Sequence, residues 1–97
     1  MPFYIILGKF TDEGIKAIKE SPKRVEEQRV AIEKAGGKLH GFYYTMGEYD
    51  FVALVEGPSD EAALTPLFSL RRLGRVRTVT LKAFPVQEVA KLIEKLP

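Results

Sequence analysis

Cysteine, tryptophan and asparagine are all absent from this 97-residue chain. Without a thiol the chain cannot form disulfides, a cysteine nucleophile or a zinc site of the Cys type. Glutamine is also scarce, at Gln28 and Gln87 only, while lysine, arginine and glutamate are abundant. Loss of amides and thiols together with many charges is typical of proteins kept at high temperature. We therefore expect a thermophile-like protein.

Long hydrophobic runs are missing as well, since none approaches the roughly 20 residues that span a bilayer. The first residues, Met1–Leu7, lack the basic leader and cleavage site of a signal peptide. A chain that is 45% hydrophobic and 29% charged is an ordinary globular protein. We expect one domain over residues 1–97, located in the cytoplasm and without a membrane segment.

Motifs that bind cofactors are absent too. The chain has no glycine-rich phosphate loop, no dinucleotide fingerprint, no Gly-x-Ser-x-Gly elbow and no metal-ligand spacing. His40 is the only histidine, so one chain cannot build a His-rich metal site. We expect no metal and no cofactor, with a haem held by His40 as the one way in which this expectation would fail.

The order of apolar and punctuating residues predicts an α+β fold. The predicted strands are Phe3–Phe10, Lys38–Met46, Phe51–Glu56 and Val76–Phe84. Predicted helices begin at Thr11, Ser21, Ser59 and Pro85, and they end before Ser21, at Ala35, at Gly74 and at Leu96. The βαββαβ order plus a terminal helix is the ferredoxin-like arrangement, with a four-stranded antiparallel sheet.

Two details of the helices are specific enough to check. Thr11, Ser21 and Ser59 are each predicted to cap a helix N-terminus through the side-chain hydroxyl. In the predicted helix that begins at Ser59, apolar residues recur at helical spacing and predict a buried stripe. That stripe consists of Leu64, Leu67, Phe68, Leu70 and Leu73.

The strands predict a partner. Phe3–Leu7 and Phe51–Val55 are apolar on both faces. A strand with one face in water would instead alternate apolar and polar residues along its length. Both main helices of this fold lie on one face, and a terminal helix of ~18 Å covers part of the other. We expect a second copy of the chain to cover the rest, as a homodimer or larger assembly with a cleft between two sheets.

Several residues are candidates for chemistry at that cleft. His40 could act as a general base, and Glu48, Tyr49 and Asp50 place two carboxylates and a phenol at one hairpin. Turn hydrogen bonds are the alternative role for Asp50, and a plain sheet-surface position is the alternative for His40. In Phe42–Tyr44 one tyrosine, Tyr43 or Tyr44, should point into the cleft and bind a small organic ligand.

Arginines cluster late in the chain, at Arg71, Arg72, Arg75 and Arg77. Arg75 and Arg77 share one strand face and could hold an anion, while interfacial ion pairs are the alternative use. Thr78 and Thr80 on the opposite face could supply polar groups to a cleft. Nucleic-acid binding is not favoured, because the net charge is only +2 and no stacking aromatics are interleaved with the arginines.

Three stretches of this sequence resemble the GYD domain family. They are Thr11–Ile15 followed by Lys19–Pro22, then Phe42–Asp50 with its Gly-x-Tyr-Asp motif at Gly47–Asp50, and in the last strand Val76–Thr78 and Leu81–Phe84. The resemblance covers nearly the whole chain and implies a fold similar to the dimeric α/β barrels. That group includes cofactor-free monooxygenases, isomerases, haem peroxidases and amino-acid-sensing domains, so the fold alone does not assign an activity.

Three functions follow as hypotheses. The first is a homo-oligomeric module that binds a small metabolite in the inter-sheet cleft or at the subunit interface. The second is a cofactor-independent enzyme of the monooxygenase or isomerase type, with His40, Tyr44 or Asp50 handling protons. The third is nucleic-acid binding through the arginine cluster.

Overall fold

One four-stranded antiparallel sheet organises the chain, and a computed structural model describes all of residues 1–97. The strands are β1 (Phe3–Phe10), β2 (Lys38–Tyr44), β3 (Phe51–Glu56) and β4 (Val76–Ala83). Their spatial order is β2-β3-β1-β4, and each neighbouring pair is antiparallel. This is the ferredoxin-like order, so the predicted fold is confirmed.

Four α-helices connect and follow the strands. They are α1 (Asp12–Lys16), α2 (Ser21–Lys34), α3 (Asp60–Leu73) and α4 (Val86–Ile93), with a 3₁₀ turn at Ile18–Glu20 before α2. The predicted elements are all present, although β2, β4 and α4 end earlier than the sequence patterns indicate. None of these helices is long and apolar enough to cross a membrane.

Helix ends explain why the predicted boundaries were close. Thr11 Oγ1 accepts a hydrogen bond from Gly14 N at 3.1 Å, and Ser59 Oγ accepts one from Ala62 N at 3.1 Å. Each bond satisfies an otherwise free amide of the first turn. Gly74 closes α3 in the left-handed conformation at φ 72°. The predicted cap at Ser21 is wrong, because Ser21 is the first residue of α2 and makes no cap hydrogen bond.

The strand register decides which side chains meet the helices. Tyr4 pairs with Val55 and Lys82 across the sheet, and Tyr4 bonds to α3, so alternate residues of each strand face the helices. α2 packs against β2, and α3 packs against β4. The residues most deeply buried between sheet and helices are Tyr4, Phe51, Ala53 and Leu67.

Gly8 on β1 is required by this packing. A Cβ on Gly8 would lie 2.0 Å from the ring of Phe51, so the glycine makes room for an aromatic side chain on the neighbouring strand. Phe51 in turn stacks on Phe42 with ring centroids 5.0 Å apart and lies 5.6 Å from the ring of Phe10. These rings form the centre of a small core.

The opposite face of the sheet has no cover within the chain. α4 makes no packed interface with any strand or helix, so it does not close that face. The chain exposes 7035 Å², whereas a compact monomer of this mass exposes roughly 5,600 Å². The radius of gyration is 15.0 Å, against about 12.5 Å for a compact chain of this length.

Candidate functional site

The helix-free side of the sheet, which we name the open face, carries mainly apolar side chains. By register its members are Phe3, Ile5, Leu7, Val52, Leu54, Val79, Leu81 and Tyr43. Tyr43 is 59% exposed, Val79 and Leu81 are 46% exposed, and Leu54 is 38% exposed. A contiguous apolar surface of this kind marks an interaction or ligand site in a soluble protein.

A depression of about 240 Å³ lies at one end of the open face. It is lined by Phe3, Tyr4, Ile5, His40, Leu54, Ala83 and Pro85. His40 reaches this end because β2 has a register irregularity between Leu39 and Gly41, which turns the extra residue towards Glu56. His40 Nε2 lies 2.9 Å from Glu56 Oε1, and the imidazole is 5.5 Å from the ring of Phe3.

The His40–Glu56 pair is the most enzyme-like arrangement in the chain. A carboxylate that holds an imidazole in place is a recurring feature of general bases. The side chains of His40 and Glu56 are 34% and 23% exposed, so the pair sits at the rim of the depression rather than inside it. The lining contains no serine, threonine, cysteine, lysine or acidic side chain.

The two tyrosines of β2 separate onto different faces. Tyr43 lies on the open face with its ring over Gly41, where an added Cβ would come within 2.9 Å of the ring. Tyr44 lies on the helix side, and its hydroxyl is 2.8 Å from Ser21 Oγ at the start of α2. Tyr43 is therefore the tyrosine available to a ligand, and Tyr44 ties β2 to α2.

The β2–β3 connection uses its polar groups to fix the backbone. Asp50 Oδ2 accepts a hydrogen bond from Phe10 N at 2.8 Å, and Asp50 N donates to Gly8 O at 2.7 Å. Thr45 Oγ1 donates to Tyr49 O at 2.6 Å. Asp50 therefore joins the loop to the end of β1, which is a structural task for that carboxylate.

A second depression, of about 220 Å³, lies at the opposite end of the open face. It is lined by Leu7, Thr45, Met46, Glu48, Tyr49, Phe51 and Val52. The ammonium of Lys9 is 5.4 Å from the centre of the Tyr49 ring, and Lys9 pairs with Arg77 in the β1–β4 register. Glu48, Tyr49 and Arg77 therefore lie towards the same end of the sheet.

The remaining predicted site residues do not join this group. Arg75 Nη1 lies 3.6 Å from Glu20 Oε2, which is an ion pair within the chain rather than an anion site shared with Arg77. Thr78 and Thr80 face the helices, and their hydroxyl oxygens are buried without a hydrogen-bond partner. Their side chains do not reach the open face.

The four arginines are spread over separate surfaces. Arg71 and Arg72 are exposed in the last turn of α3, on the helix side, and neither forms an ion pair. Arg77 is exposed on the open face, and Arg75 is engaged by Glu20. A groove that tracks a nucleic-acid backbone needs its cations on one surface.

The exposed flank of α3 was missed by the sequence patterns. Leu67 is buried, but Leu64, Phe68 and Leu73 are 46%, 52% and 54% exposed, so the predicted buried stripe is wrong for these three residues. The reason is that α2 and α3 lie over different strands and do not pack closely on each other. We name Leu64, Phe68, Arg71 and Arg72 the α3 flank.

A second feature missed from the sequence is a polar link at the other end of α3. The Tyr4 hydroxyl donates to Asp60 Oδ1, and Lys82 Nζ is 3.0 Å from Asp60 Oδ2. Burial raises the pKa of Tyr4 to about 12, and the Asp60 carboxylate adds to that rise. The hydrogen bond from Tyr4, followed by that from Lys82, lowers the pKa of Asp60.

Comparison with known proteins supports this description of the fold. The crystal structure of FFRP-DM1 matches with a TM-score of 0.56 at 21% sequence identity, over 87% of this chain and 100% of that one. Similarity at this identity shows a shared fold. The sequence profile of the GYD domain family matches residues 4–93. The chain belongs to the GYD domain family.

A second comparison concerns a described relative of this GYD domain. The chain is 32% identical over 90 residues to the glutamine synthetase and cystathionine beta-lyase binding protein of Thermus thermophilus. The alignment covers 92% of this chain and 95% of the relative. The resemblance to the GYD family is thereby confirmed, and the relative is described as a protein that binds other proteins.

Proposed function

We propose that this GYD domain is a self-associating module that binds other proteins. The observation that carries the proposal is the apolar open face, which nothing in the chain covers. The relationship to a protein described as binding two enzymes supports the protein-binding part. In this proposal the open face joins copies of the chain, and the helix side meets the partner.

Self-association follows from the surface that one chain leaves exposed. The 7035 Å² of accessible surface exceeds the value for a compact monomer by about 1,400 Å². A stable protein interface buries about 800 Å² on each partner. The excess is therefore large enough to supply one such interface, and two open faces placed against each other form the dimeric α/β barrel that the fold permits.

The α3 flank is the surface we assign to the protein partner. Leu64 and Phe68 lie one turn apart and are about half exposed, and Arg71 lies on the same side of the helix. Aromatic side chains and arginines are enriched at the centres of protein interfaces. Because Arg71 and Arg72 have no acidic partner in the chain, the flank suits an acidic surface with an apolar centre.

The partner hypothesis can be tested with the two enzymes named for the relative. Glutamine synthetase and cystathionine beta-lyase from the source organism of this chain would be immobilised. Binding of the intact protein to each enzyme would then be measured by interferometry. We expect binding to at least one enzyme and a loss of roughly tenfold or more for Phe68→Ser, since interface aromatics contribute 2 kcal/mol or more.

A matched control variant is Glu27→Ser on α2, an exposed position whose side chain forms no ion pair. It should bind as the unchanged protein does. Absence of binding to both enzymes, or equal binding by Phe68→Ser, would contradict the assigned surface.

A small-metabolite site is the second candidate, favoured by the two depressions at the ends of the open face. Two apposed sheets would enclose these depressions in a cleft lined by Tyr43, Glu48, Tyr49 and Arg77. An apolar wall with charges of both signs suits a small polar metabolite. We would screen amino acids and carboxylic acids by thermal shift, and a melting temperature raised by one class but not in Tyr43→Ala would support the site.

The His40–Glu56 pair allows that site to act on its ligand as a cofactor-independent enzyme. Any ligand found by the screen would be tested for turnover with the unchanged protein and with His40→Ala. Turnover that is lost in the variant, with ligand binding kept, would support catalysis, and a ligand recovered unchanged would leave a binding site only.

A further inference from the structure

The C-terminal helix α4 is amphipathic but has no extensive interface with the rest of its own chain. Val86, Leu92 and Ile93 are 79%, 64% and 57% exposed, and Leu96 just beyond the helix is 68% exposed. Val89 is the one residue of α4 that is even half buried. Helices of this length are not stable alone in water, so α4 needs a surface to bury its apolar side.

The apolar side of α4 is a continuous stripe. Val86, Val89, Ile93 and Leu96 follow at three- and four-residue spacing and fall on one side of the helix. The other side carries Gln87, Glu88, Lys91, Glu94 and Lys95. These charges are balanced, whereas helices that lie on membranes are rich in Lys and Arg. A protein surface therefore suits α4 better than a lipid surface.

Phe84 and Pro85 form the short link between β4 and α4. Pro85 is extended, at φ −58° and ψ 148°, and its ring limits rotation at that point. Phe84, immediately before it, is 62% exposed. The link to α4 is therefore short and restricted in rotation, and α4 itself presents its apolar residues to solvent in the isolated chain.

We infer that α4 is an exchange arm, meaning a segment that each chain packs on the other. Its apolar stripe, which includes Val86, Val89 and Ile93, packs against the sheet of a second copy of this chain. The inference rests on the self-association proposed above. The second copy offers an apolar open face of matching chemistry, and two-fold symmetry lets each chain give and receive one arm. Burial of both arms, together with the two open faces, removes the excess surface of the isolated chain.

Cross-linking tests the exchange directly, because the chain contains no cysteine of its own. Two single-cysteine proteins would be made, Ile93→Cys on α4 and Leu81→Cys on the open face, then mixed and oxidised. Exchange predicts disulfide-linked pairs containing one molecule of each kind. Glu27→Cys on α2 is the control for Leu81→Cys, and it should not link to Ile93→Cys.

The competing arrangement is α4 folded over its own sheet. It predicts an intramolecular disulfide in a Leu81→Cys, Ile93→Cys double variant at high dilution, and no mixed pairs between the single variants. That result would overturn the exchange arm.

A second measurement separates failure of the arm from failure of self-association. The double variant Val89→Glu, Ile93→Glu changes only exposed or half-buried positions, so the isolated fold should persist. If the arm is exchanged, the dissociation constant between copies should rise on the order of a hundredfold. An assembly of unchanged affinity would overturn the arm while leaving self-association intact, and an intact protein that is monomeric would overturn both.

Discussion

Tyr4 joins the central strand of the sheet to the start of α3 through a single phenol. The residue is 5% exposed, and its hydroxyl donates a hydrogen bond to Asp60. The Asp60 carboxylate also accepts a hydrogen bond from Lys82 on β4. The three side chains thus connect β1, α3 and β4 at one point. A neutral phenol beside a carboxylate is stable in this position, and an ionised phenol is not, because burial and the neighbouring charge both oppose ionisation.

Tyr4→Phe should lower the free energy of unfolding by about 1 kcal/mol at pH 7, the usual net value of one hydrogen bond. The unchanged protein should also lose stability between pH 10 and pH 12, because the pKa of Tyr4 rises from 10.0 in the unfolded chain to about 12 in the fold. Stability from a raised pKa is present below the unfolded value and lost above it. Urea unfolding at pH 7, 10 and 11 measures both effects.

Tyr4→Phe removes the titrating phenol, so the alkaline part of the profile should flatten in the variant. An equal decline in both proteins would show that another group causes it.

Asp50→Ala should destabilise the fold by about 1–2 kcal/mol, because Phe10 N loses its carboxylate acceptor in a partly buried position. Binding of the protein partner that we propose for the α3 flank should not change. Denaturant unfolding and interferometry measure the two properties on the same preparation. Unchanged stability, accompanied by loss of a bound metabolite, would instead place Asp50 in a ligand site.

Single-residue roles were the least predictable part of this chain. Tyr4 and Asp60 are 56 positions apart, and no local pattern indicates that they meet. The separation of Tyr43 from Tyr44 follows from strand alternation, but which of the two faces the helices depends on register with Phe51. His40 faces the open side because the register of β2 shifts between Leu39 and Gly41, and no residue type in the sequence predicts that shift.

The elements themselves were predictable because their signals are local. Thr11 and Ser59 cap their helices, Gly74 ends α3, and the apolar runs of β1 and β3 identify the central strands. The amount of helix surface that is covered depends instead on neighbouring elements. α3 packs mainly on β4, so three of the five residues in its predicted stripe remain exposed.

Pro66 offers a test at this scale, since it lies inside α3 and cannot donate to the carbonyl of Ala62. Pro66→Ala should raise the free energy of unfolding by about 1–2 kcal/mol, because the restored bond outweighs the added freedom of the unfolded chain. The position is exposed, so no cavity forms. Thr65→Ala next to it is the control, and a Pro66→Ala protein no more stable than that control would contradict the reasoning.

One chain by itself buries few of its own residues. Only 8 of 97 residues are buried, and no large side chain is wholly removed from water. A core this small provides little stability by itself, so an interface that buries the open face would contribute to folding as well as to assembly. Melting temperature should therefore rise with protein concentration.

Leu54→Glu and Leu81→Glu together should convert the assembly to monomers. Each places a carboxylate at an exposed open-face position, where it is tolerated in one chain but repels its copy across an interface. Analytical ultracentrifugation measures the change. Glu27→Ser, on the helix side, should leave the assembly unchanged, and an assembly that survives both glutamates would place the interface elsewhere.

Self-association through the open face is tested by the mass of the intact protein in solution, measured by sedimentation equilibrium over a wide dilution series. Covering of the open face by a second copy predicts a mass of at least twice the 10.9 kDa chain, falling towards 10.9 kDa only on strong dilution. A mass of 10.9 kDa at every concentration would show that no second copy covers the open face.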